Sequence, residues 1–147
     1  MELNTAAAVI RFATEVEEKS AEFYEDCAKK YKESSEIFLS FVRENKKNVT
    51  FVKRTYYGVI TDALEACFSF KGLRVDEYLF EAELGERTSL SEILKMSMEM
   101  ENKIQEFYQR AGELSESLLA DVPRALKKVA EKRNERKQKL ESLLDRA

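Results

Sequence analysis

Six charged or amide residues stand inside otherwise largely apolar helical stripes of this chain. Glu17 interrupts the run Ile10, Ala13, Glu17, Ser20, Tyr24, Cys27. Asn45 and Asn48 interrupt Phe38, Phe41, Asn45, Asn48, Val52. Glu101 lies in Leu94, Ser97, Glu101, Ile104, Tyr108, Ala111, and Arg133 and Arg136 lie in Leu126, Val129, Arg133, Arg136, Leu140, Leu143. Stripe positions recur at alternating spacings of three and four and face a helix's partners. A charge placed there needs an opposite charge, because an unpaired buried charge costs several kcal/mol. Two glutamates and two arginines offer that pairing. A guanidinium is always charged, and its forked donors match a carboxylate.

Other chemistry is narrowed by composition. The chain has no histidine, so it lacks the commonest general base and metal ligand and cannot form a Ser-His or Cys-His triad. No GxGxxG or GxxxxGK[ST] run supports a nucleotide fold. Cys27 and Cys67 are isolated, with no CxxC pair, and a reduced cytoplasmic setting is expected. A net charge of −3 gives no overall electrostatic footprint for nucleic acid. No apolar run approaches the roughly 20 residues of a membrane span, and the N-terminal segment lacks the basic and apolar regions of a signal peptide. Neither nucleic acid nor membrane is expected as a partner.

The elements that must position the six residues are helices. The chain has 147 residues, 44% apolar and 36% charged, with four Gly and one Pro. That fits one all-α domain over 1–147 with long uninterrupted helices. Asn4 or Thr5 can cap the first helix, and Ser34 precedes the second. Ser89 and Glu92 form an S-x-x-E capping box before the third, and Asp121 and Pro123 open the fourth. Short connections near 32–35 and 115–121 make two antiparallel hairpins, at about 5–56 and 89–145. The crossover 57–88 is rich in apolar residues. "VITDALEACFSF" reads as a helical continuation and "VDEYLFEAEL" as a second short helix. Such a segment must pack on the helices or on another subunit, so a homodimer through the crossover is expected.

The third helix repeats the first. "EVEEKSAEFY" (15–24) and "EMENKIQEFY" (99–108) share six of ten residues at an offset of 84. Chance convergence of two Glu- and Lys-rich amphipathic helices is the competing reading; duplication of a hairpin explains the match better. At an offset of 88, Asn45 falls on Arg133 and Asn48 on Arg136.

Glu17, Ser20, Phe23 and Tyr24, echoed by Glu101, Phe107 and Tyr108, together with the duplication and the crossover, resemble the rubrerythrin-like branch of the ferritin-like superfamily. The resemblance implies a ferritin-like four-helix bundle. It implies one Glu from the first helix of each half and an E-x-x-H from the second, holding two irons. Glu17 and Glu101 match that pattern. The second-helix positions, Asn45, Asn48, Arg133 and Arg136, do not. The six former ligand positions here sum to zero charge without a cation. The expectation is therefore an internal Glu–Arg–Asn network, no metal or other cofactor, no catalytic residue, and a non-enzymatic role in binding or assembly. Tyr24 and Tyr108 are expected in the core with their hydroxyls on the cluster.

Two other functions stay open. A metal-dependent oxidoreductase acting on peroxide or oxygen would hold iron or manganese through Glu17 and Glu101, helped by carboxylates such as Glu44 or Glu131. A pocket around the Arg/Asn cluster could bind a small anion. A solvated face remains the alternative for the arginines, and ordinary surface positions for the two glutamates.

Overall fold

The computed structural model describes residues 2–59, 70–85, 88–115 and 121–146, with Gly58, Val59 and Asp121 as backbone only. Four long helices make up most of it: α1 (Ala6–Lys30), α2 (Ser35–Val59), α3 (Leu90–Leu114) and α4 (Asp121–Arg146). Each begins where local chemistry permits. Thr5, not Asn4, caps α1: its Oγ1 accepts from the Ala8 N–H at 3.0 Å. Ser89 caps α3 by accepting from the Glu92 N–H at 3.2 Å. A 3-10 turn, Lys32–Ser34, leads straight into α2. Pro123 falls in the first turn of α4, where its missing N–H has no helical partner to lose.

α1 packs closely on α2 and α3 on α4. The pairs meet through α2 with α4 and, more lightly, α1 with α3. The four helices thus close a ring around one core. Phe12, Phe23, Phe38, Phe41, Ile93, Leu94, Phe107 and Leu140 fill it. Each contributes about 1.5–3 kcal/mol of apolar transfer. Gly112 allows α3 its close approach to α4. A Cβ there would sit 2.7 Å from Lys127 Cγ and 3.4 Å from the Pro123 carbonyl oxygen. Among the described residues, no helix is long and apolar enough to cross a membrane.

The crossover differs from its expected form. The "VITDALEACFSF" continuation lies, except at its two ends, outside the described residues. Phe70 to Leu73 doubles back on the N-terminus: Phe70 N–H donates to the Asn4 carbonyl and Leu3 N–H to the Leu73 carbonyl, both at 2.7 Å. Gly72 turns this corner at φ +81°, a left-handed conformation that glycine adopts freely. The short helix expected over "VDEYLFEAEL" is absent. Only Val75–Tyr78 turns, as a 3-10 helix, and 79–84 runs without helix or strand. The cause is visible in its burial. Leu79, Glu81 and Glu83 are exposed while Phe80, Ala82 and Leu84 are half-buried. That is the period of two of an extended chain, not the 3.6 of a helix. Lysines tie this strap down: Lys19 Nζ donates to the Phe80 carbonyl at 3.1 Å, Lys30 Nζ to that of Gly85 at 2.6 Å, and Lys103 Nζ to that of Glu77 at 3.2 Å. Tyr78 is buried beneath it, against Phe107 at 5.7 Å. The strap therefore covers the α1/α3 side of the ring.

Candidate functional site: a buried arginine–glutamate network

All six residues lie near the middle of their helices. Glu17 is twelfth of 25 residues in α1 and Glu101 twelfth of 25 in α3. Asn45 and Asn48 are eleventh and fourteenth in α2, and Arg133 and Arg136 thirteenth and sixteenth in α4. All six are at most 1% exposed. The solvated-face reading of the arginines is thereby excluded, and so is a surface position for the two glutamates.

Arg133 is the hub. Its Nη2 donates to Glu17 Oε2 at 2.6 Å, and its Nη1 donates to both carboxylate oxygens of Glu101, at 2.5 Å for Oε2. One guanidinium thus joins carboxylates from two different helices. The same Nη1 reaches Ser20 Oγ at 3.2 Å, and that oxygen also accepts from Asn45 Nδ2 at 3.2 Å. The free oxygen of Glu17 accepts from the Tyr108 hydroxyl at 2.8 Å.

Arg136, one turn later, extends the network toward solvent. Its Nη1 donates to Asn45 Oδ1 at 2.7 Å and lies 3.5 Å from Glu101 Oε1. Its Nη2 donates to Glu44 Oε1 at 2.6 Å. Glu44 is 30% exposed, so it is where this network meets water. The Arg136 guanidinium also lies over the Phe41 and Tyr24 rings, 4.8 and 5.5 Å from their centres.

The electrostatics follow from these distances. Burial works against the charged form of Arg133, but Glu101 and then Glu17 outweigh it and hold its pKa above the usual arginine value. Burial raises the Tyr108 hydroxyl well above its ordinary range, and the neighbouring Glu17 charge and hydrogen bond push the same way. Tyr24 is raised by burial and by the charge of Glu101. Both phenols are held neutral.

Two expected members do not join. Asn48 is buried, yet neither its Oδ1 nor its Nδ2 finds a hydrogen-bond partner among the described residues. The Tyr24 hydroxyl is likewise without one; its ring, not its oxygen, meets the cluster. The two halves of the site are thus not equivalent. Conversely, Ser20 and Glu44 act as bridge and outlet, roles the stripes did not reveal. Ser20 is a stripe residue whose hydroxyl role depends on distances alone. Glu44 sits one residue off its stripe and reaches Arg136 through its long side chain.

A di-iron centre does not fit these residues. A cation between Glu17 and Glu101 would have to take the place held by the terminal nitrogens of Arg133, beside a second guanidinium. Among the described residues, no three His, Cys, Asp or Glu side chains gather as a metal ion requires. Glu44, one of the two candidate additional ligands, is engaged by Arg136, and the other, Glu131, is exposed at the surface. The Arg133 guanidinium ties α4 to α1 and to α3. No family model, curated protein or solved structure matches this chain.

Proposed function

We propose that this chain is a ferritin-like bundle of the rubrerythrin-like branch, built from two duplicated hairpins, in which an Arg–Glu–Asn network replaces the di-iron centre. Its role is then non-enzymatic, in binding or assembly. The observation that carries this reading is the Arg133 guanidinium seated between Glu17 and Glu101. The matched mid-helix levels of Glu17 and Glu101 support the duplication.

The oxidoreductase reading draws no support from a site in which every oxygen of Glu17 and Glu101 already accepts from an arginine or a tyrosine. The anion pocket draws little either, because the terminal nitrogens of both arginines already donate to carboxylates or to the Asn45 amide oxygen.

Elemental analysis of protein purified from cells grown with iron and manganese tests the proposal. Metal well below stoichiometry is expected, with a melting temperature unmoved by either ion. About two metals per chain, the family complement, would overturn it. A reconstruction tests the ancestry. Asn45→Glu, Asn48→His, Arg133→Glu and Arg136→His together restore the family ligand set, and this variant should gain metal-dependent stability. At a hundredfold excess over Kd the gain is about 2.7 kcal/mol.

A further inference from the structure

Charge is unevenly spread over this chain. From Asn45 to Val59, α2 carries Lys46, Lys47, Lys53 and Arg54 and no carboxylate. Lys46, Lys47, Thr50, Phe51, Arg54 and Thr55 line an open groove of about 490 Å³. Lys128 and Lys132 of α4 reach the same place, their ammonium groups 5.4 and 5.8 Å from the Phe51 ring centre. The floor is aromatic and the walls are basic. A groove of this kind suits an acidic segment that also brings an apolar side chain.

The chain itself carries such a segment. From Val75 to Leu84 the strap has Asp76, Glu77, Glu81 and Glu83 and no cation. All four acids are exposed, and Leu79 among them is 59% exposed, a large apolar side chain left in water. The dimensions agree. Leu79 to Glu83 spans about 13 Å when extended. Lys46 to Arg54 spans about 12 Å along α2. The strap covers the α1/α3 side of the ring and the groove runs along the α2/α4 side, so a chain cannot lay its own strap in its own groove.

We propose that a second copy of this chain docks its 75–84 strap in the 46–55 groove, with Leu79 against Phe51 and the strap acids among the lysines. This deepens the assembly part of the reading above and does not depend on the loss of the metal site. Because strap and groove face opposite ways, the contact is heterologous. Each docking leaves one strap and one groove open, so copies add in a row or close into a ring instead of stopping at a two-fold dimer.

Sedimentation velocity from micromolar to submillimolar protein, at low and at high salt, tests this. At low salt the weight-average mass should rise about two-fold or more with concentration, beyond the dimer, and high salt should suppress the rise. Two variants on exposed positions separate the surfaces: Lys46→Gln/Lys47→Gln/Arg54→Gln removes the groove charge, and Leu79→Ser/Glu81→Gln/Glu83→Gln removes the strap anchor. Each alone should stay monomeric with an unchanged melting temperature. Their equimolar mixture should form one-to-one pairs and nothing larger, since a single intact strap meets a single intact groove. A wild-type monomer throughout, or either variant associating like wild type, overturns the proposal. So does a wild-type monomer that binds poly-L-glutamate through the groove, which would assign the groove to an acidic segment of a different protein. Metal content is measured on the same samples, so failure of this contact and failure of the metal reading are seen separately.

Discussion

Arg133→Met isolates the central claim. Methionine keeps an unbranched apolar stem of similar reach and removes the charge. Glu17 would then retain only the Tyr108 hydroxyl, and Glu101 would retain Arg136 at 3.5 Å. Both carboxylates would remain buried. Removing one partner of a buried ion pair costs about 3–5 kcal/mol. A domain of this size has roughly 5–15 kcal/mol of stability in total. At about 2–4 °C per kcal/mol, the melting temperature should fall by roughly 6–20 °C. Urea unfolding followed by circular dichroism at constant m-value reads this directly. A companion variant, Arg133→Met/Glu17→Gln/Glu101→Gln, removes the stranded charges as well. It should recover half or more of the loss, because replacing a whole buried ion cluster is often close to neutral. A cost below about 1 kcal/mol for Arg133→Met would refute the reasoning, since it would lie in the range of an exposed ion pair. A triple variant no better than the single would show that the cost is packing and not charge.

Three further outcomes follow from the same contacts. Tyr108→Phe removes the hydroxyl that donates to Glu17 and should cost about 1.5–3 kcal/mol in urea unfolding, the range for a hydrogen bond to a charged group. Ser20→Ala strands a donor on Arg133 and another on Asn45, and should cost about 1–3 kcal/mol. Alkaline pH should unfold the protein. Burial holds the Tyr24 and Tyr108 hydroxyls well above the ordinary phenol range of about 10, so above that pH the unfolded chain loses protons that the folded chain keeps, and stability falls as pH rises. Absorbance at 295 nm should show these two phenols ionising together with the loss of helical signal. Their ionisation in a still-folded protein would contradict their placement.

The four helices were legible because each keeps an apolar stripe long enough to outweigh any single residue. Glu17, Glu101, Arg133 and Arg136 were legible for a related reason. A charge at the centre of such a stripe has no water to face, and the two signs present can cancel. The strap was not legible in the same way. "VDEYLFEAEL" is rich in Glu, Leu and Ala, which favour helix. Ten residues are too few to separate a period of two from one of 3.6 by sequence alone. Its extended form depends on three lysines, Lys19, Lys30 and Lys103, each 26 or more positions along the chain from the carbonyl it holds.

The unequal halves of the site are instructive about what an offset can and cannot carry. The offsets of 84 and 88 match Tyr24 with Tyr108 and Asn48 with Arg136, but hydrogen bonds depend on what stands opposite. Tyr108 looks at a carboxylate oxygen that Arg133 leaves free, and it donates. Tyr24 looks at the face of Arg136, a cation with no lone pair to offer, and it can only lay its ring there. Arg136 in turn cannot repeat the bridge made by Arg133, because Asn45 presents an amide where a carboxylate would be needed. Its close ion pair is with Glu44 at the edge instead, at 2.6 Å against 3.5 Å to Glu101. The asymmetry is thus a consequence of having two arginines on one helix and two asparagines on the facing one. It makes Arg133 the charge that joins the two hairpins and Arg136 the charge that connects that junction to water.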